Sequence, residues 1–180
     1  MQVELVPFPG MPHPDIAITV EIARVAEGMF VVRYSMGGDI SSVRLPEPTR
    51  SASRQDDLWH TTCFEAFART AGDAYLEFNF AASTNWAAYR FTSYREGRED
   101  LPIPAPHFDV DRLEDRVVVT VAVDTTEVAD LNPEMPWRFN LSAVIEETDG
   151  TKSYWALAHP PGKPDFHHPD CFVLELPPAD

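Results

Sequence analysis

Residues 75–91 read YLEFNFAASTNWAAYRF, and this stretch decides the fold class. Leu76, Phe78 and Phe80 alternate with Tyr75, Glu77 and Asn79, the period of two that a half-buried strand imposes. Trp86 to Phe91 resumes strand chemistry after a short break, so the two segments are expected to pair as an antiparallel hairpin. Glu77 and Asn79 then lie on the face opposite the three apolar residues, and Trp86 and Arg90 share one face of the second strand.

The same period recurs on both sides of this hairpin. Ile16, Ile18, Val20 and Ile22 form one row, and Met29 to Tyr34 continues it after the Glu27-Gly28 turn. Val117, Val119, Val121 and Val123 form another row, followed by Phe139, Leu141, Ala143 and Ile145. Asp149-Gly150 is a hairpin signal, because both residues tolerate positive φ in a tight turn. Only TTEVADL, Thr125 to Leu131, reads as helical, at most two turns closed by Asn132-Pro133. About ten strands without βαβ alternation imply an all-β, antiparallel β-sandwich of jelly-roll type with one short helix. The 17 prolines fall in clusters between these elements and punctuate them, with none from Thr49 to Leu101. No repeat or linker interrupts the chain, which is read as a single domain over residues 1–180.

Composition narrows the function. The 29 acidic and 14 basic residues give a net charge of −15, which argues against nucleic acid as a partner, since such proteins neutralise phosphates with Lys and Arg. At 44% apolar and 24% charged residues the chain has the composition of a folded domain and not of an acidic tail. No apolar run is long enough for a membrane span, and the first residues do not read as a secretory signal, so a soluble, cytoplasmic protein is expected. Cys63 and Cys171 stand far apart without a CxxC pair. They indicate no disulfide framework or cysteine-rich zinc site, and leave open one long-range bridge should the compartment be oxidising.

Two segments are dense in groups that carry chemistry. In the first, Asp56 to Tyr94, the combination of Trp86, Glu77, Asn79 and Arg90 suits sugar recognition: an apolar platform with bidentate hydrogen-bonding groups for paired hydroxyls. The competing reading is a buried Glu77–Arg90 cross-strand pair with Trp86 in the core or at its rim. In the second segment, Tyr154 to Phe172, a proline-stiffened loop holds His159, Lys163, Asp165, His167 and His168. Its His and Asp residues are metal ligands by type, though their spacing matches no zinc pattern, and a loop presenting one or two groups to a ligand, or a purely structural loop, are the alternatives.

DLWHTTCFEAF, YLEFNFAASTNWAAYRF and YWALAHPPGKPDFHHPDCFVLEL together resemble the DOMON-like superfamily, and within it bacterial proteins related to family 9 carbohydrate-binding modules. The likeness runs from about Ile16 to Leu176. It implies a β-sandwich whose concave side takes a sugar or a haem. The family string Trp-x-x-[Asp/Thr]-x-x-Glu-x-Phe falls on Trp59, Thr62, Glu65 and Phe67, with Thr62 where an acidic residue is common. The resemblance further implies an aromatic platform for a pyranose ring, here Trp86 or Trp155.

These readings converge on a non-catalytic module for a carbohydrate or similar small polar ligand. Its expected contacts are Trp59, Glu77, Asn79, Trp86, Arg90, Trp155, His159, Lys163, Asp165 and His167, and no cofactor is required. Two alternatives stand beside it. One is a haem-binding, b-type cytochrome-like domain with axial ligands among Met29, Met36, His60 and His159. The other is a metal-assisted hydrolase using the His159–His168 loop, although no nucleophile elbow, phosphate-binding glycine loop or HExxH string occurs.

Overall fold

The apolar rows become the inner faces of two sheets. A computed structural model describes residues 1–179, and its twelve strands pair with their neighbours in antiparallel fashion. The first sheet runs β1 (Gln2–Pro7), β2 (Ile16–Ala26), β3 (Met29–Gly38), β9 (Arg116–Asp124) and β8 (His107–Arg112). The second runs β7 (Glu99–Asp100), β6 (Trp86–Phe91), β5 (Tyr75–Phe80), β4 (Cys63–Arg69), β10 (Trp137–Glu146) and β11 (Lys152–Ala156). The short β12 (Leu174–Leu176) extends the β11 edge of β10. One strand joins the layers: β1 pairs with β2 through Gln2–Leu5 and with β11 through Val6–Pro7.

Ile18, Val20, Phe30, Val32 and the valine row of β9 meet Phe64, Phe78, Phe139 and Leu141 between the sheets, all buried. Phe30 lies 5.4 Å from Phe78 and 5.5 Å from Phe139 in edge-on contacts, a geometry aromatic rings favour. Tyr34 spans the core, and its hydroxyl donates to the Glu65 carbonyl at 2.7 Å, tying β3 to the centre of the second sheet.

The fold departs from the sequence reading in three details. Thr125–Leu131 forms two consecutive turns instead of a helix, with Val128 N–H on Thr125 C=O and Leu131 N–H on Val128 C=O. Thr125, Val128 and Leu131 are all buried, a spacing that successive i→i+3 turns place on one side, and Thr125 Oγ1 donates to Gly28 C=O. In the β10–β11 hairpin only Gly150 takes positive φ, 90°. Both cysteines are free and buried, so the bridge left open above is not formed: Cys63 faces the Asn79 amide and Cys171 the Asp165 carbonyl. Among the described residues no helix is long and apolar enough to cross a membrane.

The β2–β3 turn supplies a test of this packing. Gly28 has φ of 70°, and a Cβ there would stand 2.6 Å from Thr126 Cα. Gly28→Ala therefore meets both a backbone penalty and a clash with main chain. Chemical denaturation is expected to show a loss of at least about 1 kcal/mol, against a near-neutral effect for Gly37→Ala, whose φ is not in the left-handed region and whose Cβ would meet its nearest neighbour, Asp115 C=O, at 3.7 Å.

Candidate functional site

Strands β4, β5 and β10 are buried on both faces. One face meets the core. The other carries Glu65 and Phe67 of β4, Tyr75, Glu77 and Asn79 of β5, and Asn140, Ser142 and Val144 of β10, as the strand register dictates. It is covered by the loop after β11, whose Phe166 and Phe172 pack on Phe67, Tyr75, Phe91 and Val144 as a second apolar cluster.

Asp165 fixes this loop. Its carboxylate accepts from Arg95 at 2.7 Å, from the Tyr94 hydroxyl and from His167 N–H at 3.2 Å. Burial alone would raise the acid, but these donors outweigh it and hold Asp165 below the usual carboxylate range. Asn140 Nδ2 donates to Phe166 C=O at 2.9 Å. The β6–β7 turn and the β11–β12 loop are thereby joined over the sheet.

Between them and the segment before β4 lies a cavity of about 370 Å³. Glu65 and Glu77 form its floor with Val144, and Arg95, Arg98 and Trp59 form its lip. Tyr154, Phe91 and Phe166 contribute apolar wall. Trp59 is 45% exposed, although it is the largest side-chain type. It sits in a single 3₁₀ turn, Leu58–His60, entered through Asp57 at φ 60°. Leu58 is buried against Cys63 and Ala81, so the turn is anchored through Leu58 and presents the neighbouring indole to solvent.

The floor carries unusual electrostatics. Glu65 is 3% and Glu77 7% exposed. Glu65 Oε2 accepts a 3.3 Å bond from Ser142 Oγ, and Glu77 Oε1 a 2.7 Å bond from Asn79 Nδ2. Burial, reinforced by the Glu77 charge, pushes Glu65 well above the ordinary carboxylate range. Burial pushes Glu77 up to about 6 against the pull of Asn79, Arg98 and Arg95. His167 is held down to about 4 by burial and then by Arg95, so it is neutral at pH 7. Arg95 N–H donates to Tyr75 Oη at 3.2 Å, and Tyr75 Oη lies 2.7 Å from His167 Nδ1. The other ring nitrogen of His167, Nε2, lies 3.9 Å from Glu77 Oε2.

Of the ten residues singled out in the sequence, Trp59, Glu77, Asp165 and His167 line this cavity. Asn79 lies behind Glu77 and orients it. Trp86 and Arg90 do not join them. Trp86 pairs with Phe80 and Arg90 with Leu76, and directly opposed residues share a face, so both point to the core side. Trp86 is buried there, and Arg90 Nε reaches Asp130 at 2.9 Å instead of Glu77. Trp155 pairs with Ala143 and is likewise in the core, its Nε1 on Ser153 Oγ. His159 stands apart, with Nε2 on Val6 C=O and its ring against Phe8. Lys163 occupies the exposed crest of the loop, one residue before the lining Pro164. Glu65, Arg95, Arg98 and Tyr154 escaped the sequence reading as site residues. The signal for Glu65 was an acid inside the otherwise apolar run CFEAFA.

No family model matches the sequence, and no curated protein does. Solved structures do match its fold. A candidate carbohydrate-binding protein from Bacteroides uniformis superposes with a TM-score of 0.72 at 13% identity, over 96% of this chain and 84% of that one. A family 9 carbohydrate-binding module from Caldicellulosiruptor kristjanssonii, solved with cellotriose, superposes at 0.58 with 8% identity, over 98% and 82%. The fold is thus of the family 9 carbohydrate-binding type.

The two buried titrating groups give opposite pH signatures. Glu77, raised from 4.5 to about 6, contributes stability that is complete below pH 4.5 and lost as pH rises through 6, roughly 2 kcal/mol. His167, lowered from 6.5 to about 4, contributes stability that is complete above pH 6.5 and lost as pH falls through 4. In urea unfolding, Glu77→Gln should lose more stability than the parent on acidification from pH 6.5 to 4.5. His167→Gln should lose less.

Proposed function

We propose that this protein is a non-catalytic carbohydrate-binding module and that the cavity between Trp59 and Asp165 is its sugar site. One observation carries the reading: a large, half-exposed indole stands at the lip of a cavity whose floor holds two buried carboxylates with oxygen atoms left for a ligand. A pyranose has an apolar face that stacks on an aromatic ring and an edge of hydroxyls that donate to carboxylates. Arg98 supplies donors for ring or hydroxyl oxygens, since its guanidinium lies over Tyr89 at 4.6 Å and makes no ion pair among the described residues. The cellotriose complex of the Caldicellulosiruptor module supports the choice of ligand class.

The alternatives lack such support. Met36 is packed inside the sandwich, whereas His60 is exposed in a turn on the far side of the second sheet, so they do not face each other across a haem. His159, His167 and His168 are engaged separately, with Val6, Tyr75 and Asp170 N–H. Among the described residues no group of three His, Cys, Asp or Glu side chains is placed to hold a metal.

Titration calorimetry and Trp fluorescence against a panel of glucose, cello-oligosaccharides, amino sugars and uronic acids test the proposal. Binding at about millimolar Kd or tighter is expected for at least one member. Trp59→Ala should weaken it at least about tenfold while shifting unfolding free energy by no more than about 0.5 kcal/mol, as suits an exposed position. A panel that leaves heat and fluorescence unchanged at millimolar sugar refutes the site's assignment.

A further inference from the structure

We infer that the cavity selects a sugar bearing a free, protonated amine, whose ammonium sits between Glu65 and Glu77. The inference rests on the carbohydrate-binding reading and goes beyond it by naming the ligand's charge.

It starts from register. Glu65 pairs with Asn79 across β4 and β5, and Glu77 lies two residues from Asn79 on the same face. The two acids are therefore diagonal neighbours, with Cβ atoms roughly 7 Å apart. One ammonium has three donors and no acceptor, and can bond a carboxylate oxygen on each side of that gap. The oxygens are available: Ser142 serves only Oε2 of Glu65, and Asn79 only Oε1 of Glu77, whose Oε2 faces His167 at 3.9 Å.

The charge balance points the same way. Both carboxylates are more than nine-tenths buried, yet among the described residues neither forms a salt bridge with Lys or Arg. Neither arginine of the cavity forms an ion pair with them: Arg95 pairs with Asp165 at 2.7 Å, and Arg98 lies over the face of Tyr89. Both are exposed at the lip, where solvent screens them, whereas the acids lie on the floor. His167, the one basic group in reach, is neutral. Like charges at short range in a buried site disfavour double ionisation, and after burial the Glu77 charge is the next cause that raises Glu65 above the ordinary carboxylate range. A hydroxyl can hydrogen-bond either acid but leaves the repulsion in place. An ammonium removes it, and charge-assisted bonds are about twice as strong as neutral ones. The walls suit a cation also, since Trp59, Tyr154 and Phe91 present aromatic rings. N-acetylation would abolish the charge and enlarge the group at that point.

The test compares glucosamine, glucose and N-acetylglucosamine by calorimetry at about pH 7 and low ionic strength. Glucosamine is expected to bind at least about tenfold more tightly than either other sugar. In Glu65→Gln, which keeps shape and removes the acid, that ratio should fall toward one. Repeating the wild-type titrations across pH gives a readout independent of any variant. Glu77 takes up its proton as pH falls through about 6, so the preference for glucosamine over glucose should shrink on acidification from about pH 7 to about pH 5. Glucose binding as tightly as glucosamine, or a preference unchanged by acidification, overturns the inference and leaves the carbohydrate reading standing. Failure of every sugar in the wider panel removes the carbohydrate reading itself.

Discussion

The second sheet has no solvent face at its centre, and the rest of the structure follows from that. Strands buried on one side can place polar residues outward at no cost. In β4, β5 and β10 the outward positions are covered by the β11–β12 loop, so Glu65, Glu77, Asn79, Asn140 and Ser142 must find partners beneath it. Ser142, Asn79 and His167 answer part of that need. The remainder is left as oxygen atoms facing a cavity, and this is what makes the covered face a candidate for binding instead of a second core.

The walls are built by a different means from the floor. The floor is regular sheet, rigid and set by register. The lip comes from short segments that use left-handed backbone at ordinary residues: Asp57 ahead of Trp59, at φ 60°, and Arg95 beside Tyr94, at φ 58°. Such conformations cost of order 1 kcal/mol or more and persist where surroundings over-determine them. Here the buried Leu58 and the Asp165 carboxylate do so. Rigid acids below and an indole held by one turn above divide the labour between selecting a ligand's polar edge and covering its apolar face.

The alternating rows made the fold class legible in the sequence, because a period of two within one strand fixes which residues are core. The same period placed Glu77 and Asn79 correctly opposite Leu76, Phe78 and Phe80. What it could not supply was the phase between strands. WAAYRF is apolar or aromatic at nearly every position, so neither side of it reads as outward, and the face of Trp86 is set by its pairing with Phe80 across a five-residue connection, residues 81–85. Trp155 was ambiguous in the same way, since Ser153 and Trp155 of β11 are both buried on the core side. Asp165 and His167 stood out by residue type, but their partners Tyr94, Arg95 and Tyr75 lie 70 or more positions away. Nothing local announces a contact of that range. Glu65, an acid inside the otherwise apolar run CFEAFA, was the clearest hint and was visible only as an exception to the pattern.

Strand β1 makes the sandwich a clamshell. It carries main-chain hydrogen bonds to both layers, to β2 and then to β11, so along that side the two sheets are one continuous ribbon folded over itself. The far side has no shared strand. There a side chain of β8 crosses between the layers: Arg112 donates to the carbonyl of Ala82, in the connection between β5 and β6, and to that of Pro46. Spreading the layers at β1 breaks a backbone ladder, whereas spreading them at the other margin breaks side-chain contacts alone, those of Arg112 and of the Phe80–Phe108 ring pair. The sandwich is therefore asymmetric in how it resists opening, with a main-chain spine at β1 and a side-chain latch at Arg112.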